Sequence, residues 1–328
     1  LASNLHLRYA SAMERRCTAP RNCTAPTALL VLLALLLAGC QSLPLGPLPR
    51  AAPPSPTPSF VTAPIVAPAD PDAVTLVTWN LGMADADAQS LAAQIAAFAG
   101  VDLWALQETN RSGAAALLEA AAEAGENADF AAVLGESGDG IPLLTLYDAD
   151  RFTLVEKYEL DPINTTGRAR APLVLHLRDN RSGAEFLLVN NHLYRTRDAE
   201  RHTQARLLNL WATTQTLPML AAGDYNFDWD WQYGETQEER DAGYDAMTRF
   251  DRWQWVRPAQ IVPTECSDTL PCTYDDVLDF IFVAGSARTW PAESTIIVRP
   301  GDFPDDSIKS DHRPVMGTFY MGGESQQQ

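Results

Sequence analysis

The sequence predicts an α/β fold in layers, with mixed rather than purely parallel sheets. Short β-branched and apolar runs recur from Val74 to about Met321, and helix-patterned segments stand between several of them. Two long segments each read as a pair of strands joined by a tight turn. Strand pairs of that kind do not belong to a simple parallel Rossmann sheet. The 328 residues, 46% hydrophobic and 20% charged, supply an ordinary globular core and are neither disordered nor collagen-like in composition.

The elements follow in chain order. VTLVTWN (74–80) is β-branched and apolar, hence a strand, and a polar turn leads into a helix with Leu91, Ile95 and Phe98 at helical spacing, capped by Asp85 or Asp87. VDLWALQE (101–108) reads as a buried strand, and the Ala-rich stretch near 113–124 as a helix. LLTLYDADRFTLVE (143–156) and APLVLHLRDNRSGAEFLLVNNHL (171–193) are the two strand pairs, with Asn180 to Gly183 supplying turn chemistry in the second. A helix around 198–215 precedes the strand PMLAAGDYN (218–226). DVLDFIFVAG (276–285), STIIVRP (294–300) and VMGTFYM (315–321) complete the strands.

The N-terminal region reads differently. Arg15, Arg16 and Arg21 precede Ala28–Ala38, a run of only Ala, Leu and Val, half the length of a bilayer-spanning helix of about 20 residues. A basic segment before a short apolar core is the pattern of a signal peptide, and Met13 offers a more natural start than Leu1. The run ends Leu37-Ala38-Gly39-Cys40, which resembles the lipobox of bacterial lipoproteins. That resemblance implies removal of residues 1–39, acylation of Cys40, and a lipid-anchored, extracytoplasmic protein of the cell envelope. In a Gram-negative bacterium, Gln41 in place of the Asp of inner-membrane retention would slightly favour the outer membrane. Ten prolines between Pro44 and Pro71 make residues 40–73 an extended, semi-rigid linker. The folded domain is then 74–321, with 322–328 a disordered tail.

Charge and cysteines sort accordingly. The formal charge is −18, and with residues 1–39 removed, 20 basic against 41 acidic residues leave −21. An acidic chain does not grip nucleic acid through overall basicity, yet a phosphate-handling pocket with locally positive walls remains compatible. Of five cysteines, Cys17 and Cys23 leave with the signal and Cys40 is modified. Cys266 and Cys272 remain, and in an exported protein that pair suggests a local disulfide in preference to a metal site.

Polar residues gather at the ends of the apolar strands: Asn80, Glu108, Asn190 with His192, Asp224 with Asn226, Asp279, and Asp311 with His312. Each alone has a structural reading as a turn or strand-end cap. Six such coincidences in one chain point to one pocket, because strand ends on one sheet edge converge. Carboxylates and amide oxygens are the donors that Mg²⁺ or Mn²⁺ prefers, such a cation neutralises charge on phosphoryl oxygens, and a His beside a carboxylate moves protons near neutrality. The set suits metal-assisted phosphoester hydrolysis.

In this order the motifs TWNLG (78–82), LQE (106–108), VNNHL (189–193), GDYN (223–226), LDFIF (278–282) and SDHRPV (310–315) resemble the endonuclease/exonuclease/phosphatase superfamily. The resemblance implies a four-layer α/β sandwich, two packed mixed β-sheets flanked by helices. It further implies that Glu108 is the main metal ligand, helped by Asn80 and Asp311, and that Asp224 orients or deprotonates the attacking water while Asn226 binds a phosphate oxygen. His312 would hydrogen-bond the phosphate or act as general base, its imidazole held by Asp279, and His192 would contact the phosphate or serve as general acid, positioned by Asn190. Family members usually add a Tyr, Glu or Arg from mid-chain; here Arg170, or else Arg168, is the candidate to neutralise substrate phosphate, with an exposed basic turn the plain alternative. Arg195, Arg197, Arg201, His202 and Arg206 either line the cleft's rim or, with Asp198 and Glu200, form a salt-bridged helix face. Trp229, Trp231 and Tyr233 stack on bases, dip into lipid, or pack on the sheet, packing being favoured for at least one.

The superfamily holds nucleases, sphingomyelinases and inositol phosphate phosphatases, so the fold leaves the substrate open. Ala221-Ala222 stand where inositol polyphosphate 5-phosphatases usually carry Trp, and abasic-site endonucleases are repair enzymes at odds with an export signal. The expectation is a Mg²⁺- or Mn²⁺-dependent exported nuclease or phosphodiesterase, then a sphingomyelinase-like hydrolase of phospholipid head groups, then a tethered binding protein without activity. Intact Glu108, Asp224, His192 and His312 argue against the last. Partners are a nucleic acid or head-group phosphoester and, through the anchor, a membrane; no protein partner is expected.

Overall fold

Alternation with period two places the strands' side chains. The computed structural model describes residues 65–66, 70, 72–82, 86–109, 114–126, 128–138, 141–266, 276–299 and 310–321, all within one unit, Phe60–Gln328. The expectations on the signal peptide (1–39), on Cys40, on most of the linker, on Asp85, on Cys272 and on the tail lie outside these residues. The described elements are β1 (Ile65–Val66), β2 (Ala73–Asn80), α1 (Ala88–Ile95), β3 (Phe98–Ala99), β4 (Leu103–Gln107), α2 (Ala114–Glu126), β5 (Phe130–Leu134), β6 (Leu144–Asp148) and β7 (Phe152–Glu159). They continue with β8 (Leu173–Asp179), β9 (Glu185–His192), α3 (Asp198–Ala212), β10 (Met219–Trp229), α4 (Ala242–Thr248), β11 (Trp253–Trp255), β12 (Val277–Ala284), β13 (Ala292–Ile296) and β14 (Val315–Tyr320).

Two six-stranded sheets form, in the orders β13-β14-β2-β4-β6-β5 and β11-β12-β10-β9-β8-β7. Both are mixed: β2 pairs parallel with β4 and β9 parallel with β10, while the remaining pairings within them are antiparallel. Leu76, Leu103, Ala105, Leu188, Leu220, Ala222 and Ile281 fill the space between the sheets. Their chain neighbours face the other way. Val77, Trp79 and Trp104 pack against Leu91, Ile95 and Leu118 of α1 and α2 on one outer face. Val189, Tyr225, Phe227, Phe280 and Phe282 pack with Leu208 of α3 and Met247 of α4 on the other. This is the four-layer α/β sandwich expected.

Three local expectations need correction. LLTLYDADRFTLVE holds two strands, but they belong to different sheets: β6 pairs with β4 and β5, whereas β7 pairs with β8. The turn between them is a crossover, fixed by the buried Arg151, which donates to the Ala73 carbonyl at 2.6 Å and Asp102 Oδ1 at 2.8 Å and reaches Asp179 of the other sheet at 3.5 Å. Phe98 is not helical: α1 ends at Ile95, and Phe98 is buried in β3, which pairs with β1. Ile65–Val66, read as part of the linker, supply that partner strand. The N-cap of α1 is Asp87, whose carboxylate accepts from the Ser90 amide at 2.8 Å.

Candidate active site

The same alternation that fills the core aims a row of polar side chains into one end of it. Asn80, His192, Asp224 and Asp279 stand an even number of residues from Leu76, Leu188, Leu220 and Ile281, so they share the inner faces of the sheets. In register, Asp224 lies between His192 on β9 and Asp279 on β12. At these positions the apolar packing between the sheets gives way to a cluster of buried polar side chains, and β10 runs on past Asp224 to Trp229.

Asp224 is the hub. Its Oδ1 accepts from the Asn226 amide at 2.9 Å, and its Oδ2 accepts from Asn80 Nδ2 of the opposite sheet at 2.9 Å. His192 Nε2 stands 3.4 Å from the same oxygen and 3.8 Å from Glu108 Oε1. Burial pushes the Asp224 carboxyl up to about 7; the nearby His312 and the Asn80 hydrogen bond work against the rise, and Asp279 and Glu108 add to it. Gly223, inside β10, has to be a glycine, because a Cβ there would collide with the Asn191 backbone.

The two histidines are held in opposite states. His312 bonds Asp279 Oδ2 through Nδ1 at 2.8 Å. Burial disfavours its charge, but Asp279, Asp224 and Asp311 outweigh that and raise its pKa well above the usual range. Its backbone is fixed by Trp79 Nε1, which donates to its carbonyl at 2.8 Å, and by its own amide, which donates to Ser310 Oγ at 2.9 Å. His192 is pushed well below the usual range by burial, then by Arg170, His312 and Arg195, and is neutral. Its Nε2 faces the two carboxylates, and its buried Nδ1 has no partner among the described residues.

Glu108 and Asp311 offer the free oxygens. Glu108 adopts a left-handed backbone (φ 54°) immediately after β4, a conformation costing a non-glycine residue about 1 kcal/mol or more, and Asn226 does the same at φ 51°. Both strained positions lie at the cleft. Among the described residues the Glu108 side chain has no hydrogen bond, its neighbours being His192 and Arg170 Nη2 at 3.9 Å. The register of β2 on β4 sets Asn80 beside Gln107, and Ser310 Oγ donates to the Asn80 carbonyl at 2.5 Å, which brings Asp311 over the Asn80–Gly82 turn. Asn80 Oδ1 accepts from the Gly82 amide at 3.1 Å and keeps a second lone pair. Carboxylates without a hydrogen bond among the described residues, beside an amide oxygen, are a hard-oxygen donor set that fits Mg²⁺ or Mn²⁺. Glu108 and Asp311, with Asn80, would hold it, and such a cation supplies charge neutralisation at phosphoryl oxygens.

The remaining predicted positions divide. Arg170 reaches the site, its Nε donating to the Ile141 carbonyl at 2.9 Å, whereas Arg168 is exposed. Asn190, expected to position His192 and touch phosphate, does neither. It sits two residues deeper along β9, fully buried, where its Oδ1 accepts from Gln107 at 2.8 Å and its Nδ2 bonds Leu144 O at 3.0 Å, joining the two sheets. Asn226 uses Nδ2 on the Leu193 carbonyl at 3.2 Å. Arg201 is buried among Asp241, Asp198 and Asp228 and is structural, and Trp229 packs against Tyr244 and Trp255. Cys266 is buried and disulfide-bonded.

Sequence reasoning missed Glu265. It is buried (3% exposed), forms a β-bridge with His312, and offers a ligand atom that lies with those of Asp311 and His312 within 4.8 Å of one another. Its neighbour Cys266 is disulfide-bonded, and the Cys266 amide donates to the Asp311 carbonyl at 3.0 Å.

A four-layer sandwich with an acidic, histidine-bearing cleft at one end of its inter-sheet core defines a class of phosphoester hydrolases. Residues 77–312 match the Endonuclease/Exonuclease/phosphatase family, and the chain belongs to that family of hydrolases acting on phosphoester bonds. Similar solved structures include an endonuclease/exonuclease/phosphatase family protein from Bacteroides thetaiotaomicron, 18% identical over 75% of this chain and 97% of that one, with a TM-score of 0.55. D. rerio TDP2, complexed with single-strand DNA product, is 18% identical over 75% of this chain and 98% of its own (TM-score 0.58). The mannosyl-6-phosphatase Bt3783 of Bacteroides thetaiotaomicron is 17% identical over 74% and 98% (TM-score 0.50). At these identities the likeness is one of fold. No curated protein matches the sequence.

Proposed function

We propose that this protein is a Mg²⁺- or Mn²⁺-dependent phosphodiesterase, most simply a nuclease, held outside the cytoplasm by a lipid on Cys40. The observation that carries the catalytic part is the row His192–Asp224–Asp279 across three paired strands, with His312 bound to Asp279 at 2.8 Å. A carboxylate that titrates near neutrality can take the proton of an attacking water, and an imidazolium can donate to a phosphoryl oxygen or the leaving group. In this reading Asp224 is the base, oriented by Asn80 and the Asn226 amide; His312 is the cationic donor, kept charged by Asp279; and neutral His192 donates from Nε2 to the phosphoryl group. Arg170 neutralises substrate charge beside Glu108. The likeness to TDP2, whose structure holds a single-strand DNA product, supports the choice of a nucleic-acid strand.

The localisation rests on the sequence, Leu37-Ala38-Gly39-Cys40 and the prolines that follow. Among the described residues no helix is long and apolar enough to cross a membrane.

One panel tests the reading: DNA, RNA, bis-p-nitrophenyl phosphate and sphingomyelin, each with Mg²⁺ and with EDTA. Metal-dependent cleavage of the nucleic acids and the small diester is expected. Cleavage of sphingomyelin alone would replace the reading with head-group hydrolysis, and no turnover on any substrate would overturn it. For the anchor, Cys40→Ala is expected to move the protein from the membrane to the soluble fraction, and an unchanged membrane fraction would contradict lipidation.

A further inference from the structure

The loop leaving β9 presents an arginine for which the reaction centre has no evident use. Arg195 lies three residues after His192, and its side chain is 63% exposed, unlike the largely buried Arg170. Its backbone is nevertheless fixed. The buried Arg201 donates from Nη1 to the Tyr194 carbonyl at 3.0 Å and the Arg195 carbonyl at 2.6 Å, and Gln204 Oε1 accepts from the Tyr194 amide at 2.9 Å. The Leu193 amide donates to the Asp224 carbonyl at 3.0 Å, tying the loop's start to the centre.

The guanidinium is held as well. Arg195 Nη2 stands 3.4 Å from Glu265 Oε1, and Glu265 is buried, bridged to His312 and beside the disulfide-bonded Cys266. A flexible, solvated arginine is thereby anchored at one nitrogen while its other donors stay open to water. Two cations thus stand beside different carboxylates: Arg170 by Glu108, and Arg195 by Glu265. One phosphate needs the first. A second, pre-aimed fork outside the centre fits a second phosphate.

We propose that Arg195, steadied by Glu265, binds the phosphate adjacent to the reacting one in an oligonucleotide strand. Arg195 would contact substrate; Glu265 acts through it as a positioning residue. This deepens the phosphodiesterase reading and rests on it. A zwitterionic head group carries no second phosphate and would leave the fork unused.

The test compares the unmodified protein with Arg195→Gln, Arg195→Lys and Glu265→Gln on a fluorescent oligothymidylate of about eight nucleotides and on bis-p-nitrophenyl phosphate. Arg195→Gln is expected to raise KM for the oligonucleotide about tenfold more than for the small diester, with little change in kcat. In fluorescence anisotropy the slope of log affinity against log salt should shrink by about 0.7, one phosphate contact on a single strand. Arg195→Lys should restore that slope, and Glu265→Gln should show part of the Arg195→Gln effect. Equal losses on both substrates, or an unaltered salt slope in Arg195→Gln, would overturn the proposal. Should the unmodified protein hydrolyse neither diester, the phosphodiesterase reading fails, and the anisotropy slope alone still decides for or against Arg195.

Discussion

Asn80 Nδ2, at the end of β2 in one sheet, donates a 2.9 Å hydrogen bond to Asp224 Oδ2, on β10 in the other. The bond lies between the sheets' ends, so the relative placement of the two sheets sets the orientation of the proposed base. It also favours the ionised carboxylate against burial. Asn80→Ala is expected to lower kcat on bis-p-nitrophenyl phosphate about 10- to 100-fold, the worth of a hydrogen bond to a charged group. Removing a donor that lowers the Asp224 pKa raises that pKa, so the acid limb of the rate profile should move to higher pH. A pH–rate series checks both.

Asp279 keeps His312 charged, and Asp279→Asn withdraws that support while burial remains. The His312 pKa should fall toward or below its ordinary value near 6.5. Turnover should then drop about 10²- to 10³-fold, more at alkaline than at mildly acidic pH, because the neutral ring donates less well. Imidazole titration by NMR, beside the rate profile, separates this from misfolding.

In EDTA, stability should depend on pH through Asp224. Its folded pKa, about 7, exceeds the 3.8 of the unfolded chain, so the native state holds the extra proton. The stabilisation is complete below the unfolded value and is lost as pH rises through the folded one. Thermal melts should fall across this window, Mg²⁺ should oppose the fall, and Asp224→Asn should flatten it.

Arg151 holds the crossover between the sheets with its guanidinium buried against Asp102 and Asp179. Arg151→Met leaves both acids unpaired, and a cost of about 3–5 kcal/mol is expected for breaking a buried ion pair on one side. Denaturant unfolding measures it; a loss under about 1 kcal/mol, the range of surface pairs, would contradict the crossover role.

Much of this was legible from residue pattern, and the reasons differ by position. Asn80, His192, Asp224 and Asp279 could be read because each interrupts or ends an apolar strand run within an ordered set of motifs, and strand alternation then carries them onto the inner faces. Asn190 reads together with His192 because both stand near the end of VNNHL, but two residues deeper along the strand is the inter-sheet core, where Asn190 bonds Gln107. The segment 143–156 misled because a tight turn looks alike whether it returns to one sheet or crosses to another; Arg151 decides, through partners far away in sequence. Glu265 carries no motif. Its place depends on a β-bridge to His312, a non-local pairing invisible in the chain order.

The most direct measurement is the Mg²⁺-dependent rate on bis-p-nitrophenyl phosphate for the unmodified protein, Asp224→Asn and Glu108→Gln, each confirmed folded by circular dichroism. The unmodified protein should turn over with Mg²⁺ and stop in EDTA, and each substitution should lower kcat by about 10³-fold or more. Asp224→Asn turning over at the unmodified rate would contradict the assignment of this cleft as the reaction centre.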